Sequence, residues 1–275
     1  MLMCNFKVLE VGIRYMKYEL VALDIDGTIL NSNMLITEET KRAVKLCKKN
    51  GVKVVLSSGR LSRSIKPYME RLDLNGYQVT LNGAVIKDAD TGNILEKFTI
   101  PKNDYMDVLK KLNKFNYSTI IFGVDTYYKN YDNEDIRIIE KISGMNAEFI
   151  SSFKDIVNPT KTLSIIEDID SINVFRNKIE SEKYTIIRTG YNHVEVVRKD
   201  IDKGTALKII ADKYNIPREK VLAIGDSEND IGMLKYAGKG IAMGNAYDNV
   251  KEISDEITAS CDEEGVAKAL YKNVL

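Results

Sequence analysis

The stretch Leu20-Val-Ala-Leu-Asp-Ile-Asp-Gly-Thr28 places two carboxylates directly after a run of strand-forming apolar residues. The apolar half is typical of a strand buried on both faces, and Asp26-Gly27 predicts the turn that ends it. In an extended chain Asp24 and Asp26 point to the same side, because they are two residues apart. Carboxylates that close repel each other, so at least one should have a raised pKa unless a cation compensates. An ordinary Asp-Gly turn is the alternative interpretation.

The residues that follow this strand predict a βαβ unit. Thr37 is suited to cap a helix and Gly51 to end it, and residues 52–57 form a second apolar run. A strand, a helix and a strand within about 40 residues predict two parallel strands joined by a right-handed crossover. The C-terminal part repeats this alternation, with strands expected at residues 221–224 and 240–243 and helices at residues 203–214, 231–236, 246–253 and 264–271. We therefore predict an α/β fold with a doubly wound, Rossmann-like parallel sheet.

The middle of the chain has a different pattern, because its predicted strands follow one another without regular helices between them. This favours an α+β module with an antiparallel sheet. We predict a discontinuous core of residues 16–82 and 190–275, with residues 83–189 inserted as a cap domain. Residues 1–15 are interpreted as an N-terminal extension, either from a mis-assigned start or as a poorly ordered arm, since Met16 opens a stretch that reads like a complete protein start.

The composition limits the class of protein. The chain has 275 residues, with 40 Lys and Arg against 40 Asp and Glu, so its formal net charge of +0 argues against a nucleic-acid partner. No apolar run reaches the roughly 20 residues that a membrane span needs. The three cysteines are far apart and suit neither a disulfide framework nor a CxxC metal site. We expect a cytoplasmic protein that binds neither nucleic acid nor membrane; the oligomeric state stays open.

Three further polar clusters lie at or near the ends of the predicted parallel strands, where open α/β sheets bind ligands. Ser58 and Gly59 close the second strand and could seat a phosphate, although such loops are common. Lys203 begins a helix, and in isolation it would be interpreted as a surface charge. The third cluster is Gly225-Asp226-Ser-Glu-Asn229-Asp230. Its paired acids fit Mg²⁺, which prefers oxygen ligands, or else an acidic helix start.

Together these motifs resemble a known family. Asp24-x-Asp26-Gly-Thr28, Ser58, Lys203 and Gly225-Asp226-x-x-Asn229-Asp230, in that order, match the four signature motifs of the haloacid dehalogenase-like (HAD) superfamily of phosphohydrolases. The insertion between Ser58 and Lys203 is similar to the type IIB cap of the Cof-type subfamily. One departure is Ser58-Gly-Arg60, where many members have Thr-Gly-Arg; the hydroxyl is kept.

The resemblance implies a role for each matching residue. Asp24 would be the nucleophile that forms an aspartyl-phosphate, and Asp26 the general acid and then the general base, which requires a raised pKa at Asp26 relative to Asp24. Mg²⁺ would be held by the carboxylates of Asp24 and Asp226 and by the backbone carbonyl of Asp26. Lys203 would neutralise charge at Asp24. The remaining implied roles are phosphate contacts from Ser58, Gly59 and Asn229, and a supporting carboxylate, Asp230, that orients Lys203 or a metal-bound water.

The implied function is a Mg²⁺-dependent phosphatase acting on a small phosphorylated metabolite. Sugar phosphates lead, with pyridoxal phosphate and flavin mononucleotide as further possibilities. A phosphomutase or phosphotransferase could use the same site, and a non-catalytic sensor of phosphorylated metabolites is the alternative from another class. Of the remaining polar residues, His193 is interpreted as a strand residue where the cap rejoins the core. Arg60 and Asn82 could either touch the substrate or anchor the structure.

Overall fold

The computed structural model describes residues 17–189 and 192–275. The predicted extension, residues 1–15, lies outside the described residues.

The elements are, in chain order, β1 (Leu20–Leu23), α1 (Glu38–Lys49), β2 (Lys53–Leu56), α2 (Ser62–Arg71), β3 (Tyr77–Thr80), β4 (Val85–Asp88), β5 (Ile94–Lys97), α3 (Lys102–Leu112), β6 (Thr119–Phe122), β7 (Tyr127–Lys129), α4 (Glu134–Ser143) and β8 (Glu148–Phe149). The chain continues through β9 (Lys161–Ile165), α5 (Ile169–Ile179), β10 (Tyr184–Arg188), β11 (His193–Arg198), α6 (Lys203–Lys213), β12 (Val221–Gly225), α7 (Ile231–Tyr236), β13 (Lys239–Ala242), α8 (Asp248–Glu252), β14 (Glu256–Ile257) and α9 (Gly265–Asn273).

The core is a parallel sheet with the strand order β14-β13-β12-β1-β2. Strand β1 lies inside it, and all four of its residues are buried, as its uninterrupted apolar run predicts. Leu23 is in register with both Leu56 and Ile224, so β1, β2 and β12 end side by side. The predicted doubly wound α/β core is confirmed. Because of this shared register, the carboxyl ends of the three strands lie at one edge of the sheet.

Local sequence explains how the first crossover forms. The Thr37 hydroxyl accepts a hydrogen bond from the Thr40 backbone N–H at 3.2 Å, which caps α1 as predicted. The helix then buries Ala43, Val44 and Cys47 against the sheet. This packing fixes the return path of the chain to β2.

The cap contains a six-stranded sheet with the order β10-β11-β9-β6-β7-β8. All neighbouring pairs except β7 and β8 are antiparallel, as the α+β prediction requires. Strand β11 pairs with β9 and β10, although the domain prediction from the sequence assigned residues 190–198 to the core segment. Two strands joined by a short connection pair most readily with each other, so the hairpin keeps β11 in the cap sheet.

A separate three-stranded sheet, β3-β4-β5, joins the two parts of the molecule. A bridge from Val79 to Ser57 sets β3 beside the end of β2, and β4 and β5 continue from β3. Residues 83–97 therefore continue a sheet that begins in the core segment. From these pairings we propose that the cap proper spans about residues 100–199, in place of 83–189.

Among the described residues, the helices are all too short or too polar to cross a lipid bilayer.

Candidate active site

The structure brings the predicted site residues together at the carboxyl edge of the core sheet. Asp24 directly follows β1, and Asp226 directly follows β12. Ser58 lies two residues beyond β2 and is buried. The shared register of these strands is what places residues distant in sequence around one point.

Lys203 lies at the centre of this group and is fully buried. Its Nζ donates to Asp24 Oδ1 and to Asp230 Oδ1, both at 2.6 Å. The Asp202 side chain caps α6 and so holds Lys203 at the first position of the helix. The interpretation of Lys203 as a solvated surface charge is therefore excluded.

Asp230 is fully committed to supporting contacts. While Oδ1 accepts from Lys203, Oδ2 accepts from the backbone N–H groups of Asp226 and Ser227, both at 3.0 Å. The second oxygen of Asp24, Oδ2, receives no hydrogen bond from the described residues. Asp24 therefore combines a held oxygen with a free one, whereas Asp230 has no free oxygen to offer.

Asp226 is oriented by two hydroxyl groups. Thr28 donates to its Oδ1 and Ser227 to its Oδ2, each at 3.2 Å. Gly27, with φ +74°, passes so close that an added Cβ would lie 2.5 Å from Asp226 Oδ2. The Asp-Gly-Thr turn is thus required here for its backbone as well as for its side chains.

The electrostatics of the cluster call for a cation. Burial, and then repulsion from Asp230, raise the pKa of Asp24 well above its usual range. The same two causes raise the pKa of Asp226 to about 7. Burial lowers the pKa of Lys203, but Asp230 and Asp24 more than offset this, so its pKa is raised. One ammonium faces three carboxylates, which leaves an excess of two negative charges when all are ionised.

The residues present fit a divalent metal ion. Asp24, Asp226 and Asp230 each offer an oxygen, and these oxygens lie within 4.8 Å of one another. An all-oxygen donor set with two excess negative charges suits Mg²⁺. Asp230 is held by an ammonium and two backbone N–H groups, whereas Asp226 is held only by two hydroxyl groups, each at 3.2 Å. This contrast favours Asp24 and Asp226 as the metal-binding carboxylates that the family resemblance implies, and the assignment stays a prediction.

Asp26 lies apart from this cluster. Its side chain is about half exposed (49%) and forms a bidentate pair with Arg60, with Nε to Oδ2 at 2.8 Å and the second bond at 2.6 Å. Burial raises the pKa of Asp24 itself. The expectation of a raised pKa at Asp26 relative to Asp24 stays a prediction. Arg60 is an anchor for Asp26 in this conformation.

A buried hydrogen-bonded chain links the core to the cap. Asn229 Nδ2 donates to Asn82 Oδ1 at 2.9 Å, and Asn82 Nδ2 donates to Glu195 Oε2 at 2.6 Å. Lys161 donates to the other Glu195 oxygen at 2.6 Å and to the Gly59 carbonyl at 2.8 Å. Asn229, predicted as a phosphate contact, thus has its amide group engaged with Asn82, so its contribution includes holding this chain.

Sequence reasoning missed Lys161 and assigned no role to Glu195. A single lysine in a strand pattern carries no signal of its own, and its partner is remote in the sequence. Asn82 carried one weak signal, its place after a strand end. Of the two roles considered for Asn82, substrate contact and structural anchoring, the structure supports anchoring.

A cavity of about 320 Å³ opens in front of the carboxylate cluster. The core contributes Asp24, Asp26 and Ser58, and the cap contributes Lys161 and Glu195, among others. The predicted site residues Asp24, Asp26 and Ser58 therefore share one chamber with residues of the cap. This chamber is where a substrate would lie.

His193 is the first residue of β11, which agrees with its interpretation as a strand residue, and its ring also lines the cavity. Burial lowers its pKa, Glu195 opposes the shift and Lys161 adds to it. Because the folded state binds this proton more weakly than the unfolded chain, whose pKa is about 6.5, stability present above that pH is lost as pH falls.

We expect His193→Gln to reduce the acid sensitivity of folding. Each unit by which the pKa is lowered corresponds to about 1.4 kcal/mol. Urea unfolding of both proteins between pH 8 and pH 5 measures the effect. Equal slopes of stability against pH in the two proteins would contradict it.

The chain belongs to the haloacid dehalogenase-like hydrolase family, whose family model matches residues 21–270. It is 34% identical to the 5-amino-6-(5-phospho-D-ribitylamino)uracil phosphatase YcsE of Bacillus subtilis, covering 94% of this chain and 96% of the relative. It is 30% identical to phosphatase YwpJ of the same organism, covering 90% and 97%.

Solved structures agree with this assignment. A haloacid dehalogenase-like hydrolase from B. subtilis matches with a TM-score of 0.84 at 29% identity, over 92% of this chain and 99% of that one. In fold alone, the chain also matches a subclass IIB sugar phosphatase, with a TM-score of 0.82 at 23% identity over 92% and 98%. The protein is a Cof-type HAD phosphohydrolase, a phosphoric monoester hydrolase, as its motifs predict.

Proposed function

We propose that this protein is a Mg²⁺-dependent phosphatase that hydrolyses a small phosphorylated metabolite through an aspartyl-phosphate on Asp24. The observation that carries the proposal is the state of the Asp24 carboxylate. One oxygen is held by Lys203 at 2.6 Å, the other receives no hydrogen bond from the described residues, and Asp24 lines the shared chamber. A positioned carboxylate with one free oxygen is suited to attack phosphorus.

The first half-reaction forms the covalent intermediate. Asp24 Oδ2 attacks phosphorus in line with the leaving oxygen, the P–O bond to the leaving group breaks, and its electron pair stays with that oxygen. A bound Mg²⁺, held by Asp24, Asp226 and the Asp26 carbonyl, would offset the repulsion between nucleophile and phosphate. The Ser58 hydroxyl donates a hydrogen bond to a phosphoryl oxygen. Lys203 stabilises the negative charge of the Asp24 carboxylate and of the transferring phosphoryl group.

The second half-reaction is hydrolysis of the aspartyl-phosphate. Asp26 gives a proton to the leaving oxygen in the first step and then takes one from the attacking water. Arg60 anchors the Asp26 carboxyl group beside the chamber in which the leaving oxygen would lie.

Sugar and polyol phosphates are the proposed substrate class. The relative YcsE is a 5-amino-6-(5-phospho-D-ribitylamino)uracil phosphatase, which supports including phosphate esters of that kind in a substrate panel. A panel of phosphorylated metabolites assayed with Mg²⁺ for released inorganic phosphate tests the function. Isomerised product in place of inorganic phosphate would indicate a phosphomutase, and binding without any turnover would indicate a sensor.

Asp226→Ala is expected to weaken activation by Mg²⁺. The substitution removes one of the two carboxylates of the proposed metal site. The Mg²⁺ concentration needed for half-maximal activity should therefore rise by about 100-fold or more. Titration of chelator-treated enzyme with Mg²⁺ measures the change. Asp212→Ala, which alters an exposed carboxylate paired with Lys208, is the control. An activation curve of Asp226→Ala that coincides with the control would exclude Asp226 from the metal site.

A further inference from the structure

The charged groups of the chamber are already paired with each other. Among its described lining residues, the lysine and arginine side chains are Lys161 and Arg60. Arg60 is bound to Asp26 through two hydrogen bonds. Lys161 is bound to Glu195 and to the Gly59 carbonyl, and its amino group lies 4.6 Å from the centre of the Phe122 ring. Two of the three N–H groups of Lys161 are therefore used within the protein, and the third has the Phe122 ring beside it.

The Lys161–Glu195 pair is also the most deeply buried part of the cap wall. The two side chains are 2% and 3% exposed. An anionic group placed beside this pair would meet the Glu195 carboxylate without gaining a free cation, and would lose its own hydration. The cap side of the chamber thus disfavours a second negative charge on the substrate.

The neighbouring wall of the chamber is apolar, in contrast to the charged Lys161–Glu195 wall. Phe122 and Tyr127 are stacked with their ring centroids 5.3 Å apart, and both line the chamber. Met34 and Ile142 extend this surface, yet they remain 46% and 52% exposed. Large apolar side chains left exposed around a concave site favour a ligand with an apolar face.

We propose that the chamber selects phosphate monoesters whose leaving group is uncharged and presents an apolar face, and that it rejects leaving groups carrying a second anion. This inference rests on the proposed phosphatase function and concerns only the choice of leaving group. Lys161 and Glu195 determine the charge selection, because they set the net charge of the cap wall. Phe122 and Tyr127 supply the apolar contact.

Two matched pairs of substrates test the selection. Sorbitol 6-phosphate and 6-phosphogluconate differ by a hydroxymethyl group against a carboxylate, and we expect kcat/KM to favour the uncharged leaving group by about tenfold or more. Uridine 5′-monophosphate adds a planar uncharged ring to ribose 5-phosphate, and we expect it to be favoured by a similar factor. Equal or better use of 6-phosphogluconate would overturn the charge selection. Equal use of ribose 5-phosphate would overturn the apolar contact.

A charge-changing variant tests the role of Glu195. Glu195→Gln keeps the shape of the side chain but removes the negative charge beside Lys161, so the kcat/KM ratio of 6-phosphogluconate to sorbitol 6-phosphate should rise by about tenfold. Glu140→Gln is the matched control, because Glu140 is a cap carboxylate that pairs with Lys129 at 2.9 Å and does not line the chamber. An unchanged ratio in a folded Glu195→Gln protein would overturn the assignment.

Binding measurements separate this inference from the proposed function. Dissociation constants of the same four esters for the Asp24→Asn protein, measured by calorimetry, should follow the order expected for kcat/KM. If the wild-type enzyme hydrolyses none of the esters, nor p-nitrophenyl phosphate, the phosphatase proposal fails. The order of the dissociation constants still tests the leaving-group selection in that case. If Glu195→Gln does not fold, the kcat/KM values of the wild-type protein for the four esters test the selection.

Discussion

Asp24→Asn should reduce phosphate release by about 10⁴-fold or more while the protein stays folded. An amide oxygen is a poor nucleophile, and the substitution removes the one oxygen of the cluster that faces the chamber without a partner. Stability should change little, because the lost Lys203 contact is offset by relief of repulsion from Asp230, and Asp230 still pairs with Lys203.

Released phosphate under saturating Mg²⁺ measures this effect, with thermal unfolding as the test of folding. Asp73→Asn changes an exposed carboxylate paired with Lys48 and serves as the control. If the purified Asp24→Asn protein hydrolysed its substrate at near the normal rate, Asp24 could not be the nucleophile.

Lys203→Met should be the most destabilising substitution at the site. It leaves the buried carboxylates of Asp24 and Asp230 without their ammonium, and removing one partner of such a buried group costs about 3–5 kcal/mol. Activity should fall as well, because Asp24 would lose the ammonium group that holds its Oδ1.

The free energy of urea unfolding, measured without divalent cations, tests this prediction. Lys208→Met lies on the same helix, where an exposed lysine pairs with Asp212, and it should leave stability unchanged. Adding Asp230→Asn to Lys203→Met should recover part of the loss, since it removes one of the uncompensated charges. Equal stability of the Lys203→Met and Lys208→Met proteins would contradict the central place of this ion pair.

The two carboxylates at the carboxyl edge of the core sheet could be predicted because each of them follows a local sequence pattern. Asp24 and Asp226 stand immediately after apolar strands, and the alternation of strands and helices makes those strands parallel. Parallel strands end at the same edge, so local patterns were enough to bring the two carboxylates together. The same reasoning reached Lys203 only through the family resemblance, because a lysine at a helix start has no distinguishing pattern.

The cap boundary was harder to predict for a related reason. Strand β11 follows β10 closely and pairs with it, yet its apolar pattern alone does not say which sheet it joins. The sheet β3-β4-β5 likewise continues from the core into the insertion. Sheet membership depends on partners elsewhere in the chain, and hydrophobic periodicity does not encode them.

The amino-acid sequence by itself determined the α/β core and the inserted α+β module, and through the family resemblance it predicted the acids, the hydroxyl and the lysine at the carboxyl edge of the core sheet. Only the tertiary structure decided that Asp26 pairs with Arg60 and that Lys161, Glu195, Asn82 and Asn229 form one buried chain. Asn82 and Glu195 are 113 residues apart, and each is unremarkable in its own segment. Asn82 lies in the turn between β3 and β4, and Glu195 lies in β11 of the cap sheet. The cost of burying a charge without a partner favours their contact.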